Sequence, residues 1–323
     1  MPKEIMRLIP VGKDYLWGGT RLKEEYGKNI NMIPLAETWE CSVHPDGISI
    51  VANGNFRGQL LINVLNEHPD YMGTKVKDGS FPILVKFIDA KEKLSVQVHP
   101  DDDYAKKYEK QNGKSELWYI LDAKKGATIV YGFRHRMNKE LLEQAIESKT
   151  LNKYLNFIEV HSGDVFYVPA GTVHGIGAGI LLAEIQESSN VTYRLYDYDR
   201  LDKNGEKRDL HFDQAVRVMN MEPVSSIKQK PRIIHYSSGT SREDLCRCRY
   251  FDVEKIRTTM GFTFSVMDDS FQILMCIEGE GGIETMNSDG KSIRFKKGET
   301  MFLPAGLGKC VLFGRTTLLK IRC

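Results

Sequence analysis

A nine-residue block occurs twice in this chain of 323 residues: residues 163–171 read GDVFYVPAG and residues 298–306 read GETMFLPAG. Both run glycine, acid, three further residues, an apolar position, then Pro-Ala-Gly. A short apolar run closed at each end by turn formers reads as a strand. The same strand-and-turn unit appearing twice argues for two related β-modules in tandem. The copies diverge at once afterwards. Thr172-Val173-His174 follows the first and Leu307-Gly308-Lys309 the second. The turn is kept and the histidine is lost, so chemistry at His174 makes the second module a structural copy.

Most other apolar stretches are also short, β-rich and bounded by Gly or Pro. They include FPILVKFID (81–89), ELWYILDA (116–123), ATIVYGF (127–133), GILLAEIQ (179–186), NVTYRLYDY (190–198) and SFQILMCIEG (270–279). Strands at this density point to a sandwich or barrel. Three segments read as helices instead: 56–72, 101–111 and 138–156. In the last, Leu141, Leu142, Ala145, Ile146 and Leu151 recur near helical spacing. The second begins after Pro100 with three aspartates, an acidic start that suits a helix N-terminus. Residues 229–244 are the best boundary, giving an expected catalytic unit 1–230 and a C-terminal unit 231–323.

A formal net charge of +2 gives no general drive toward nucleic acid or an anionic membrane. There is no apolar run of about 18 residues, so no membrane-spanning helix is expected. MPKEIMRLIP lacks the apolar core of a secretory leader. The six cysteines form no CxxC pair, and Cys246 and Cys248 make only a CxC. Reduced thiols in a cytoplasmic protein are the simplest expectation.

Strand side chains alternate in direction. In SVQVHP, Ser95, Gln97 and His99 therefore share a face. Lys114, Glu116 and Trp118 share another, if that strand already starts at Lys114. His174 follows the Pro-Ala-Gly turn. Together Gln97, His99, Glu116 and His174 offer two imidazoles, a carboxylate and an amide oxygen, a set suited to zinc or another divalent first-row metal. Any one of these residues alone is ordinary; the joint pattern carries the argument. The spacing G-x5-P-x-G-x2-H, from Gly163 to His174, resembles the second motif of cupin barrels. Gln97-x-His99 followed by Glu116 resembles the first, with Gln where many cupins have His. The fold this implies is mainly β, two tandem cupin (jelly-roll) barrels with a few helices inserted. A neutral amide beside one carboxylate leaves the ion about one unit of positive charge, which suits Lewis-acid work on a hydroxyl or carbonyl oxygen. Redox iron more usually takes two histidines and a carboxylate with open positions.

Charge gathers on the neighbouring faces. Lys86 interrupts an apolar strand, Lys114 shares the face of Glu116, Arg194 shares one with Thr192 and Tyr196, and Glu184 shares one with Gln186. If these faces turn inward, three cations and a further carboxylate meet near the metal. Such a surplus asks for an anionic substrate, and phosphate is the natural one. Two plainer readings stand beside this: Lys86 snorkelling from an edge strand, and Arg194 paired with Asp197 or Asp199.

At this point GKSELWYIL (113–121), SVQVHP (95–100) and AEIQESSNVTYRLYDYDR (183–200), with YLWGG (15–19) and AETWECSVHPDG (36–47), make the chain resemble the type I mannose-6-phosphate isomerase family over nearly its whole length. The interval between Glu116 and His174 has room for about one helical hairpin, where longer members carry an extra helical domain, so the resemblance is to the short bacterial form. It implies one zinc per chain on Gln97, His99, Glu116 and His174. It also implies interconversion of mannose 6-phosphate and fructose 6-phosphate by proton transfer between C1 and C2 through a cis-enediol(ate), with Arg194 as the catalytic arginine. For the base, Glu184 comes first, tuned toward neutral pH by the metal and apolar walls. Lys114 is second, with a pKa lowered by adjacent cations, and His44 a distant third. Lys86 and Ser95 are assigned to substrate binding. A monomer or weak homodimer is expected. A non-catalytic cupin sugar-binding module that kept its metal, and a cupin dioxygenase, are the rival readings.

Overall fold

The structure is a computed structural model that describes residues 3–202, 204–224, 232–236, 239–286 and 292–323. It is mainly β, in three antiparallel sheets. A six-stranded sheet runs in the spatial order Val165–Val168, Glu116–Ala123, Ile180–Glu187, Ile83–Ala90, Glu37–Cys41, Val11–Lys13. A five-stranded sheet faces it, in the order Tyr193–Tyr196, Val96–Val98, His174–Ile176, Thr128–Phe133, Leu155–Glu159. The third sheet has ten strands, the eight between Arg232 and Arg322 together with Met6–Ile9 and Ile50–Val51.

The six-stranded sheet is covered on both faces, which explains its nearly continuous apolar runs. Every residue of Ile83–Ala90 and of Ile180–Glu187 is buried. On the outer face, Val85, Phe87, Leu117, Ala183 and Ile185 pack with Phe251, Ile273, Met275 and Phe302 of the ten-stranded sheet. On the inner face, Ile88, Trp118, Ile120 and Leu182 pack with Ile129, Tyr131 and Ile176 of the five-stranded sheet. Lys86 and Glu184, the polar residues in the middle of these strands, lie on that inner face.

The repeated block forms the same local structure twice. Val165–Val168 and Thr300–Leu303 are its strands. Its glycines adopt positive φ in both copies, at 90° and 84° for Gly163 and Gly171 and at 89° and 73° for Gly298 and Gly306. Only glycine takes that backbone without strain, so the turn constrains the motif. Beyond the turn, His174 is buried whereas Lys309 is exposed. The interior of the second module is filled by apolar side chains, among them Leu274, Met301, Leu312 and Leu318.

Each of the three expected helices is shorter than its segment. Residues 56–72 contain the helix Leu61–Glu67 and the 3-10 turn Pro69–Tyr71, and the 3-10 turn Gly54–Phe56 ends inside them. Gly58, at φ 86°, and Pro69 break the run. The helix in 101–111 covers Asp102–Tyr108 and is capped by the Asp101 side chain, which accepts from Tyr104 N–H. In 138–156 the helix covers Lys139–Glu147, ends before Lys149 at φ 56°, and is followed by a strand, Leu155–Glu159.

One pairing was not visible in the sequence. The strand Met6–Ile9 joins the ten-stranded sheet beside Thr300–Leu303, with Met6 opposite Phe302 and Leu8 opposite Thr300. The expected boundary at 230/231 lies outside the described residues. A buried ion pair also ties the two halves. Lys28 Nζ lies 2.5 Å from Glu40 Oε1 and donates its hydrogen bond to the carbonyl of Gly298, while Glu40 Oε2 accepts from Thr300 Oγ1 at 3.1 Å. Burial pushes the Lys28 pKa down. Lys28→Met leaves Glu40 charged and unpaired in the interior. It is expected to lower the free energy of unfolding by about 3–5 kcal/mol, read by denaturant unfolding; a change under about 1 kcal/mol contradicts a stabilising role for this contact.

Candidate metal centre and cavity

The two facing sheets enclose a cavity of about 210 Å³ lined by Gln97, His174 and Arg194 from one side and Lys86, Trp118 and Glu184 from the other. Strand register sets these rows. On the five-stranded sheet, Gln97 lies opposite both His174 and Arg194. On the six-stranded sheet, Glu184 lies opposite both Lys86 and Trp118.

His99, Glu116 and His174 form a tight buried group whose candidate ligand atoms all lie within 4.8 Å of one another. Each residue is about 1% exposed. His99 Nδ1–H donates to the carbonyl of Val191 at 2.8 Å, and His174 Nδ1–H to that of Thr172 at 2.8 Å. These bonds fix the tautomers and leave the lone pair of each ring on Nε2. Burial holds both rings neutral, lowering His174 to about 4 and lowering His99 as well, with Lys114 adding to the effect on His99. The two lone pairs converge on Glu116: His174 Nε2 is 3.3 Å from Oε1 and His99 Nε2 is 3.6 Å from Oε2. Burial raises the Glu116 carboxyl to about 7 against the opposing pull of Lys114. Glu116 Oε1 is buried without a hydrogen-bond partner. The His174 lone pair facing the orphaned Glu116 Oε1 is unfavourable without a cation between them, and two imidazole nitrogens with one carboxylate are a donor set that a metal ion takes.

Gln97 completes the ring. Its amide nitrogen is 3.4 Å from His174 Nε2 and its oxygen accepts from Ser95 Oγ at 3.0 Å. A half-turn of the amide exchanges these atoms and presents oxygen to the group. Lys114 reaches the same place although its strand begins only at Glu116. Its Nζ lies 3.0 Å from His99 Nε2 and 2.5 Å from Glu116 Oε2.

Lys86 is not an edge residue. It is 4% exposed, on a strand flanked by two others, with Nζ 3.0 Å from Glu184 Oε2 and 3.6 Å from Glu37 Oε2. Burial lowers its pKa, but Glu184 and Glu37 outweigh burial and the net shift is upward. Glu184 shifts opposite to the sequence expectation. Burial pushes it up, yet Lys86, Lys114 and the Trp118 N–H, 3.0 Å from Oε1, bring it down to about 2. Asp197 binds Arg200 and Arg208, and Asp199 binds Lys149 and Lys207, so neither takes Arg194. Arg194 lines the cavity with its Nε buried and without a hydrogen-bond partner. His44 lies outside the cavity, against the edge of Trp39 and 3.3 Å from Gln111.

Several cavity residues escaped sequence reasoning: Tyr15, Trp17, Glu37, Asn190, Arg208 and His211. Glu37 stands two before Trp39 in AETWEC, and that alternation could have flagged it. Arg208 and His211 lie outside any periodic segment and gave no signal.

The model of the type I phosphomannose isomerase catalytic domain matches residues 5–135, and that of the mannose-6-phosphate isomerase cupin domain matches residues 242–322. Mannose-6-phosphate isomerase ManA of Bacillus subtilis is 39% identical over 316 residues, 97% of each chain. The chain belongs to the type I phosphomannose isomerase family. A mannose-6-phosphate isomerase of Streptococcus mutans is 45% identical over 206 residues, 64% of this chain and 65% of that one. The crystal structure of a Bacillus subtilis mannose 6-phosphate isomerase superposes with a TM-score of 0.92 at 37% identity, covering 99% of both chains. The cupin architecture read from the motifs is thus the architecture of this isomerase family.

Proposed function

We propose that this phosphomannose isomerase interconverts mannose 6-phosphate and fructose 6-phosphate with one zinc ion per chain, moving a proton between C1 and C2 through a cis-enediol(ate). The observation that carries this reading is the buried His99–Glu116–His174 group, with its unpartnered carboxylate oxygen, opening onto a cavity rich in cations. Gln97, His99, Glu116 and His174 would hold the zinc. When bound, zinc supplies a Lewis acid for the oxygens on C1 and C2.

The remaining roles fall to side chains of the chain itself. Glu184 is ionised throughout the neutral range and oriented by Lys86 and Trp118, so it is ready to accept the proton, though its low pKa makes it a weak base. Lys114 is the second group placed to move a proton. Arg194 brings a guanidinium to the cavity wall beside Gln97, where it stabilises negative charge on the enediolate. Ser95 and the Lys86 ammonium complete the polar wall that meets the sugar hydroxyls.

Coupled detection of fructose 6-phosphate formed from mannose 6-phosphate, with and without a chelator, tests the assignment. Turnover that stops with the chelator and returns with zinc is expected; a metal-loaded protein without isomerase activity refutes it. Arg194→Ala is expected to lower kcat by about 10²–10³-fold with zinc content intact. Loss of zinc from that variant shows instead that Arg194 is structural.

A further inference from the structure

One end of the cavity is built by two side chains from the segment after the strand Tyr193–Tyr196, Arg208 and His211. Their place is set through Arg194. Among the described strands, Tyr193–Tyr196 is the edge of its sheet and pairs with Val96–Val98. The backbone of Arg194 turns outward from that pairing: its carbonyl accepts from His211 N–H at 2.8 Å, and its N–H donates to His211 Nδ1 at 3.2 Å. Arg194 and Gln97 are therefore a non-hydrogen-bonded pair, with Cα atoms about 4.5 Å apart and side chains close together. His174, Gln97, Arg194 and His211 form a row, each about 5 Å beyond the last. From Gln97 to His211 that is roughly 10 Å, about the reach of an extended six-carbon chain together with its terminal phosphate.

The far end of this row is built for an anion. With Nδ1 used as an acceptor, the neutral His211 ring carries its proton on Nε2. Burial and Arg194 keep it neutral by lowering its pKa. Arg208 is held in place through Nε and Nη2, which bind Asp197 at 2.8 and 2.6 Å. Asp197 is shared with Arg200, so this ion-pair network keeps a net positive charge. The unpartnered Nε of Arg194 lies beside it. By contrast, both cavity lysines are committed, Lys86 to Glu184 and Glu37 and Lys114 to Glu116 and His99.

We propose that Arg208 and His211 form the seat for the phosphate of the sugar phosphate, with Arg194 between that seat and the carbonyl end beside Gln97. The assignment rests on the isomerase reading above and adds the residues that select a phosphorylated sugar.

The test uses zinc-loaded protein, wild type, Arg208→Gln and His211→Asn, with kcat and KM for mannose 6-phosphate and calorimetric titration with inorganic phosphate. Each variant is expected to raise KM about tenfold or more, by a larger factor than any fall in kcat, and to weaken phosphate binding in parallel. Zinc content should not change, and Arg208→Lys should recover part of the loss. Unchanged phosphate affinity in both variants, or a fall in kcat at constant KM, overturns the proposal. Should Arg208→Gln fail to fold because Asp197 loses a partner, His211→Asn, which keeps its backbone bond to Arg194, decides alone. An inactive wild type refutes the isomerase reading, while the phosphate titration still reads the seat.

Discussion

Replacing His99 with alanine is expected to remove metal binding and lower turnover of mannose 6-phosphate by about 10³-fold or more. The imidazole is nearly fully buried, neutral, and locked by its bond to Val191, so its Nε2 lone pair has one direction to point. No neighbouring side chain replaces it: Lys114 is a donor and carries no lone pair while protonated. Alanine also leaves the Val191 carbonyl without this donor, a cost of about 1–3 kcal/mol. Denaturant unfolding of the variant therefore separates lost chemistry from lost fold. A folded His99→Ala protein that keeps both its metal and its turnover contradicts the ligand assignment.

Glu184→Gln is expected to lower kcat by about 10²–10⁴-fold, the range for removal of a general base, with zinc retained. The substitution is nearly isosteric. The amide oxygen can still accept from Trp118, and Lys86 keeps Glu37 at 3.6 Å. Exchange of the C2 hydrogen of mannose 6-phosphate with deuterated solvent reads the proton transfer itself. Exchange as fast as in wild type moves the base to Lys114. Retained exchange with slow product formation places the defect after proton abstraction.

The inward polar residues were legible because strand alternation is local. Ser95, Gln97 and His99 share a face whatever the sheet does, and the turn before His174 announces itself through Gly163 and Gly171. Charge tuning was not legible, because it depends on cross-strand neighbours. An isolated carboxylate near apolar walls is expected to rise in pKa. Glu184 falls instead because the register sets Lys86 opposite it. The same limit hid Arg194's freedom: Asp197 and Asp199 are close in sequence, yet Arg208 and Lys207 return from a later segment to claim them. Helix lengths were overestimated where a single backbone position, Gly58 before one helix and Lys149 after another, cut the run short. The placement of Met6–Ile9 beside Thr300–Leu303 is a contact between the ends of the chain, which no periodicity encodes.

The most direct measurement is a zinc titration of metal-free protein, with bound metal counted by mass spectrometry and turnover of mannose 6-phosphate followed in the same samples. Activity that rises in proportion to zinc and levels at one ion per chain is the predicted result. Full turnover without bound metal, or a fully loaded protein that does not form fructose 6-phosphate, would contradict the account.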